Sequence, residues 1–155
     1  MKMKKSAIAI LISVMAFSAV GCSKDSVKDV PVAEIQKEVM VKELLPEQTF
    51  DVDAKDHWMF ESVKDNIVEG FVSQAMINVK LQDVVVVKTT DTEAIVKAIE
   101  TYKEGSLRLF AGGYGGEENA TSVANSILEV KGDYVYFIAT PNASDVEAKI
   151  LKKIS

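Results

Sequence analysis

Four valines in a row, Val84 to Val87, constrain the fold of this chain more than any other feature. Valine is β-branched, stiff at its first side-chain torsion, and suited to the pleated surface of a strand. Successive side chains of a strand point to opposite faces, so an unbroken apolar run of this length reads as a central strand buried on both sides. Just before it, Ile77, Val79 and Leu81 alternate with Asn78, Lys80 and Gln82, the period of two of a half-buried strand. Gln82-Asp83 then falls between two strands as a turn, although it is not a favoured hairpin dipeptide.

The rest of the chain supplies helices and a second pair of strands. Val32, Ile35, Val39 and Leu44 or Met40 recur at helical spacing within residues 30–45, with Asp29 as a cap, Pro31 in the first turn and Pro46 as the stop. Glu47 to Lys64 reads as a loop or short strand, and Phe60, Val63 and Ile67 have the spacing of one or two helical turns before Gly70. After Thr89 to Asp91, which offer cap residues, Ala94, Ile95, Ala98, Ile99 and Tyr102 form a helical stripe that extends toward Leu109. Gly112-Gly113-Tyr114-Gly115-Gly116 breaks it with a flexible loop. Ile127 to Val130, the turn Lys131-Gly132-Asp133 and the alternating Tyr134 to Ile138 read as a hairpin. Ser144 and Glu147 have the spacing of a capping box for a terminal helix from Asp145 to about Lys153. Helix, weak segment, two strands, helix, two strands and helix make an α+β domain: one small, mostly antiparallel sheet of four or so strands with helices packed on one face.

That domain is preceded by an address. Met1 to Lys5 carries three lysines and no acid, and Ser6 to Val20 is an uncharged, largely apolar run of 15 residues. A basic start, an apolar run and a small residue at the end are the parts of a secretory signal. The run is short of the roughly 20 apolar residues that span a bilayer. Ala19-Val20-Gly21-Cys22 resembles the lipobox of bacterial lipoproteins, with Ala19 departing mildly from the commoner leucine. The resemblance implies that diacylglycerol is joined to the Cys22 thiol and that a signal peptidase, recognising Ala19, Val20 and Gly21, cuts before Cys22. Cys22 is the only cysteine of the chain, which rules out an internal disulfide. On this reading residues 1–21 are a signal peptide, 22–29 a lipidated tether and 30–155 a single domain.

Loss of the first 21 residues removes three of the 18 basic residues and none of the 23 acidic ones, leaving a net charge of −8. Anionic lipid headgroups repel such a surface, so two acyl chains rather than the domain itself are expected to hold it at the membrane. Nucleic acid, which selects basic faces, is not an expected partner.

His57 is the only histidine, and none of Ser62, Ser73 and Ser106 sits in a Gly-x-Ser-x-Gly elbow, so His57 beside Trp58 reads as a loop pair. Asp51, Asp53 and Asp56 suggest a calcium loop, but its sixth position is Asp56 instead of Gly and its twelfth is Ser62 instead of Glu. The Gly112–Gly116 segment lacks the Lys-Ser/Thr of a phosphate cradle and is followed at once by Glu117 and Glu118. It reads as a flexible connection around a packed Tyr114, and Tyr114 is the candidate for meeting a partner protein or glycan. Asn119-Ala-Thr121 and Asn142-Ala-Ser144 match a glycosylation sequon by spacing alone. No catalytic residue, metal or cofactor is assigned.

The order of these features resembles a family. A lipobox, an early helix, Val84–Val87 closed by Lys88 and followed by Asp91 and a helix, Phe110-Ala-Gly-Gly-Tyr114, and a turn at Lys131-Gly132-Asp133-Tyr134 are similar to domain-of-unknown-function family 4358, short lipoproteins mostly of Gram-positive anaerobes. The resemblance covers most of residues 30–154. Gly115 stands where the family commonly has Pro, and Arg108 is present without the Gln that often accompanies it. The family implies an extracytoplasmic location and brings no assigned chemistry. The expected function is therefore a lipid-anchored, non-enzymatic binding or assembly module on the outer face of the cell membrane, with an envelope protein as partner and the chain itself a monomer. The alternative is a small envelope hydrolase using Glu117 and Glu118 with Tyr114.

Overall fold

The computed structural model describes residues 26–155. Five strands form one sheet: β1 (Thr49–Asp53), β2 (Ile67–Ala75), β3 (Asp83–Thr89), β4 (Ile127–Lys131) and β5 (Tyr134–Ala139). Their order is β1-β2-β3-β5-β4, and each neighbouring pair is antiparallel. The helices are α1 (Val32–Val39), α2 (Thr92–Gly105), α3 (Arg108–Ala111), α4 (Glu117–Ala124) and α5 (Ala143–Ile154). The fold is α+β with one antiparallel sheet, as the element order indicates.

The valine run occupies the middle strand, paired with β2 on one side and β5 on the other, and its four side chains are fully buried. Val84 and Val86 face one core with Tyr134, Tyr136 and Ile138 of β5, covered by Val32, Ile35 and Val39 of α1 and Val146, Ile150 and Ile154 of α5. Val85 and Val87 face a second core with Val135 and Phe137, covered by Ile95, Ile99 and Tyr102 of α2 and by Met59 and Phe60 from a short helical turn. The helices thus lie on both faces of the sheet, not on one. The cause is in the run itself: four consecutive buried apolar side chains on a strand need a cover on each face.

Several local expectations are corrected. The alternating Ile77–Gln82 segment is the loop between β2 and β3, and Ile77 and Val79 are exposed. The strand that pairs with the valines lies earlier, in the register Phe71↔Val86, Val72↔Val85 and Ser73↔Val84. Asp83 is the first residue of β3 and not part of a turn. Phe60 and Val63 belong to short turns, while Ile67 opens β2. The early helix ends at Val39, and Asp29 pairs with Lys88 in place of capping it. Lys28 N–H donates to Ile154 O at 2.8 Å, and at the start of the domain the Tyr134 hydroxyl donates to Val30 O at 2.6 Å. At the C-terminus, α5 starts at Ala143, so Ser144 falls within its first turn and no capping box forms; Glu147 accepts from the Tyr136 hydroxyl at 2.9 Å instead. Asp91 does cap α2, its carboxylate accepting from Ala94 N–H at 3.0 Å. The β4–β5 hairpin turns at Gly132-Asp133, where Gly132 has φ +57°.

Candidate functional site

Two places on the molecule combine polar organisation with exposed aromatic surface. The first is the glycine-rich segment. Gly113, Gly115 and Gly116 have φ of +94°, +75° and +111°, backbone conformations that favour glycine. They lift Tyr114 onto the surface, 45% exposed, with its ring 5.7 Å from that of Phe110. At Gly115 the segment comes so close to the β2–β3 loop that a Cβ would lie 2.1 Å from Val79 O. Asn119 of α4 joins the two: its amide nitrogen donates to Tyr114 O and Val79 O, both at 2.9 Å, and its carbonyl accepts from Leu81 N–H at 3.0 Å. The Tyr114 backbone is therefore held beside the exposed Val79 by a buried amide, and the segment is a tied turn, not a loose connection. Neither α4 nor the role of Asn119 is legible in the sequence, where Asn119 reads only as part of a sequon by spacing. Asn142, of the other such match, donates to Leu44 O at 2.9 Å.

The second place is a hydrogen-bonded chain from the surface into the sheet. His57 Nδ1 accepts from Met59 N–H at 3.3 Å, which leaves Nε2–H to donate to Gln74 Oε1 at 3.2 Å. Gln74 Nε2 donates to the Tyr102 hydroxyl at 2.8 Å, and that hydroxyl donates to Asp83 Oδ2 at 2.5 Å. Each donor points the same way, and Asp83 receives the last proton. Burial raises the Asp83 carboxyl to about 6, against the pull of the hydrogen bonds from Tyr102 and Gln74. Burial also raises the Tyr102 phenol and lowers the His57 imidazole, the latter against the hydrogen bond it donates to Gln74. The ring of Tyr102 packs edge-on against Phe137 at 6.4 Å and against Trp58 at 5.7 Å. Trp58 itself is 62% exposed and tilts over His57 at 5.5 Å. His57 and Trp58 do form a pair, as their adjacency suggests, but His57 is buried and faces inward. In the sequence the rest is marked only by Asp83 between two apolar runs, a position equally compatible with a turn.

The other expected residues are placed as follows. Glu117 and Glu118 open α4 and border a cavity of about 540 Å³ together with Thr140 and Asp145; Tyr114 is not among the described residues that line it. Asp51 and Asp53 lie on β1, and Asp53 accepts from Lys55 N–H at 2.8 Å. Ala19, Val20, Gly21 and Cys22 lie outside the described residues. Among the described residues, no helix is long and apolar enough to cross a membrane.

The molecule is thus an α+β sheet domain with two organised aromatic positions, one on a glycine-rich turn and one above a buried carboxylate. A family model described as a domain of unknown function (DUF4358) matches residues 50–140, more than half of the chain, and the chain belongs to that family. The match takes in β2 to β5, all of β1 but Thr49, and α2 to α4, and so Trp58, Gln74, Asp83, Tyr102, Tyr114 and Asn119; α1 and α5 lie outside it. Searches of curated proteins and of solved structures found no similar protein.

Proposed function

We propose that this chain is a lipid-anchored protein of the extracytoplasmic face of the cell membrane, held by diacylglycerol on Cys22, and that it works as a non-enzymatic binding or assembly module for an envelope protein. The anchor rests on the sequence: a basic start, an apolar run and Ala19-Val20-Gly21 before the single cysteine. The binding role rests on one observation, the exposed Tyr114 pinned beside Val79 by Asn119. A tyrosine fixed before contact loses little conformational freedom on binding, and its ring and hydroxyl offer apolar area and a hydrogen bond together. The net charge of −8 after cleavage keeps the domain off anionic headgroups, with this surface free to meet a neighbour.

Crosslinking on intact cells, followed by recovery from solubilised envelopes, tests the reading. The wild-type chain is expected to carry a protein partner that Tyr114→Ala loses while remaining folded and at the membrane. Repeated recovery of the wild-type chain alone would overturn it.

A further inference from the structure

The exposed Trp58 and helix α2 enclose a cleft of about 510 Å³ that is separate from the Tyr114 surface. Its size falls within the range of roughly 300–1,000 Å³ common for small-ligand sites. None of the described residues lining it is charged, although 41 of the 155 residues of this chain are acidic or basic. Its polar side chains are those of Ser62, Thr101, Ser106 and Tyr102, the last with its hydroxyl already engaged by Gln74 and Asp83. Thr101 Oγ1 already donates to Lys97 O at 2.9 Å, which leaves its lone pairs to accept. Gly105 lines the far part of the cleft, and a Cβ built there would meet no atom within 4 Å.

The aromatic wall is built rigidly. Trp58 rests edge-to-face on Tyr102, and Tyr102 is fixed at its other end by the hydroxyl bond to Asp83 and the bond from Gln74. An indole packed edge-on against Tyr102 yet 62% exposed offers a flat apolar face to a ligand. A flat face, an uncharged lining and hydroxyls that both donate and accept are complementary to one ligand class: a ring with an apolar face and neutral hydroxyls on its edge. We infer that the Trp58–α2 cleft binds a neutral glycan segment, with the sugar ring stacked on Trp58 and its hydroxyls bonded to Ser62, Thr101 and Ser106.

Trp58 is the only tryptophan of the chain, so its emission reports this site alone. The full chain, solubilised in a detergent without a sugar headgroup, is titrated with chitotetraose, cellotetraose and maltotetraose up to millimolar concentration. At least one of them is expected to change the emission saturably. Gly105→Phe fills the open part of the cleft and replaces the least favoured residue but proline in a helix, so it keeps the fold. It is expected to weaken that sugar about tenfold or more, equal to ~1.4 kcal/mol, with circular dichroism and melting unchanged. A flat titration with all three sugars would overturn the inference. So would wild-type affinity in Gly105→Phe, or saturation by a neutral proline-rich peptide where the sugars fail.

Discussion

The Tyr102 hydroxyl donates to Asp83 Oδ2 at 2.5 Å, between a helix and the first residue of the central strand. Asp83 is 4% exposed, and among the described residues no cation pairs with it; its partners are the phenol and, at 3.5 Å, the amide of Gln74. A buried carboxylate without a counter-charge is costly to ionise, and two hydrogen bonds only partly offset that cost. The pair therefore ties the Trp58–Tyr102 aromatic contact to a carboxyl that titrates at about 6.

Stability should depend on pH through Asp83. An unfolded aspartate titrates near 3.9, and in the fold Asp83 titrates at about 6. Between these values the folded chain keeps a proton that the unfolded chain has lost. Stability should thus fall as pH rises through that window, by at most ~3 kcal/mol, and level off above it. His57 works in the opposite sense. Its folded value is lowered, so it favours the fold as pH rises toward its ordinary value of about 6.5. Denaturant titrations of the wild type and Asp83→Asn below, within and above the window separate the two. The asparagine variant should lose the falling slope and keep the rising one. An unchanged falling slope in Asp83→Asn would place its origin elsewhere.

Tyr102→Phe should have a distinct signature. It removes the 2.5 Å donor and leaves the ring packing in place, costing about 1–3 kcal/mol. That hydrogen bond also holds the Asp83 value down, so its loss should extend the falling slope to higher pH. A stability loss with no shift of the slope would show that the phenol acts on the fold without acting on the carboxyl.

Asn119→Ala should untie the Tyr114 surface. The substitution deletes one acceptor and two donor contacts and strands the N–H of the buried Leu81, costing about 2–3 kcal/mol. Hydrogen exchange should speed up in residues 76–81 and 112–116 before it does in β3. Uniform acceleration across the sheet would mean that Asn119 supports the core and not the two loops.

Two glycines in the same turn should respond unequally to alanine. Gly113→Ala meets open space at φ +94° and should cost only the backbone strain, about 1–2 kcal/mol. Gly115→Ala adds a collision with Val79 O and the Asn119 amide to its φ of +75°, and should cost ~3 kcal/mol or more. Equal melting temperatures for the two variants would contradict the close approach of the loops.

The parts of the fold read most readily from sequence are those in which local pattern and tertiary demand agree. Asp91 followed by the Ile95–Ile99–Tyr102 stripe is a capped helix on either ground. The alternation after Lys131-Gly132-Asp133 is a strand because its turn forces a hairpin. Ile77, Val79 and Leu81 alternate just as well, yet the strand is Ile67–Ala75, because register against the valine run is a long-range choice that a local period cannot report. The same holds for the sites. Tyr114 stands out by its flanking glycines, and the structure places it on the surface. The chain from His57 to Asp83 joins residues from a turn, two strands and a helix, and no spacing in the sequence announces it.

Cys22→Ala should leave residues 30–154 folded, since both cores among the described residues are built from residues after Cys22. Membrane fractionation should find the variant released, or retained as the uncut precursor. Mature-length protein still in the membrane fraction would show that something other than Cys22 holds it.

Intact-mass and N-terminal peptide mass spectrometry of the protein purified from its native membrane tests the anchor on which the proposed function stands. The chain should begin at Cys22 and carry a diacylglyceryl mass on the sulfur. A chain that starts upstream of Cys22, or one that carries the free thiol, would contradict the account.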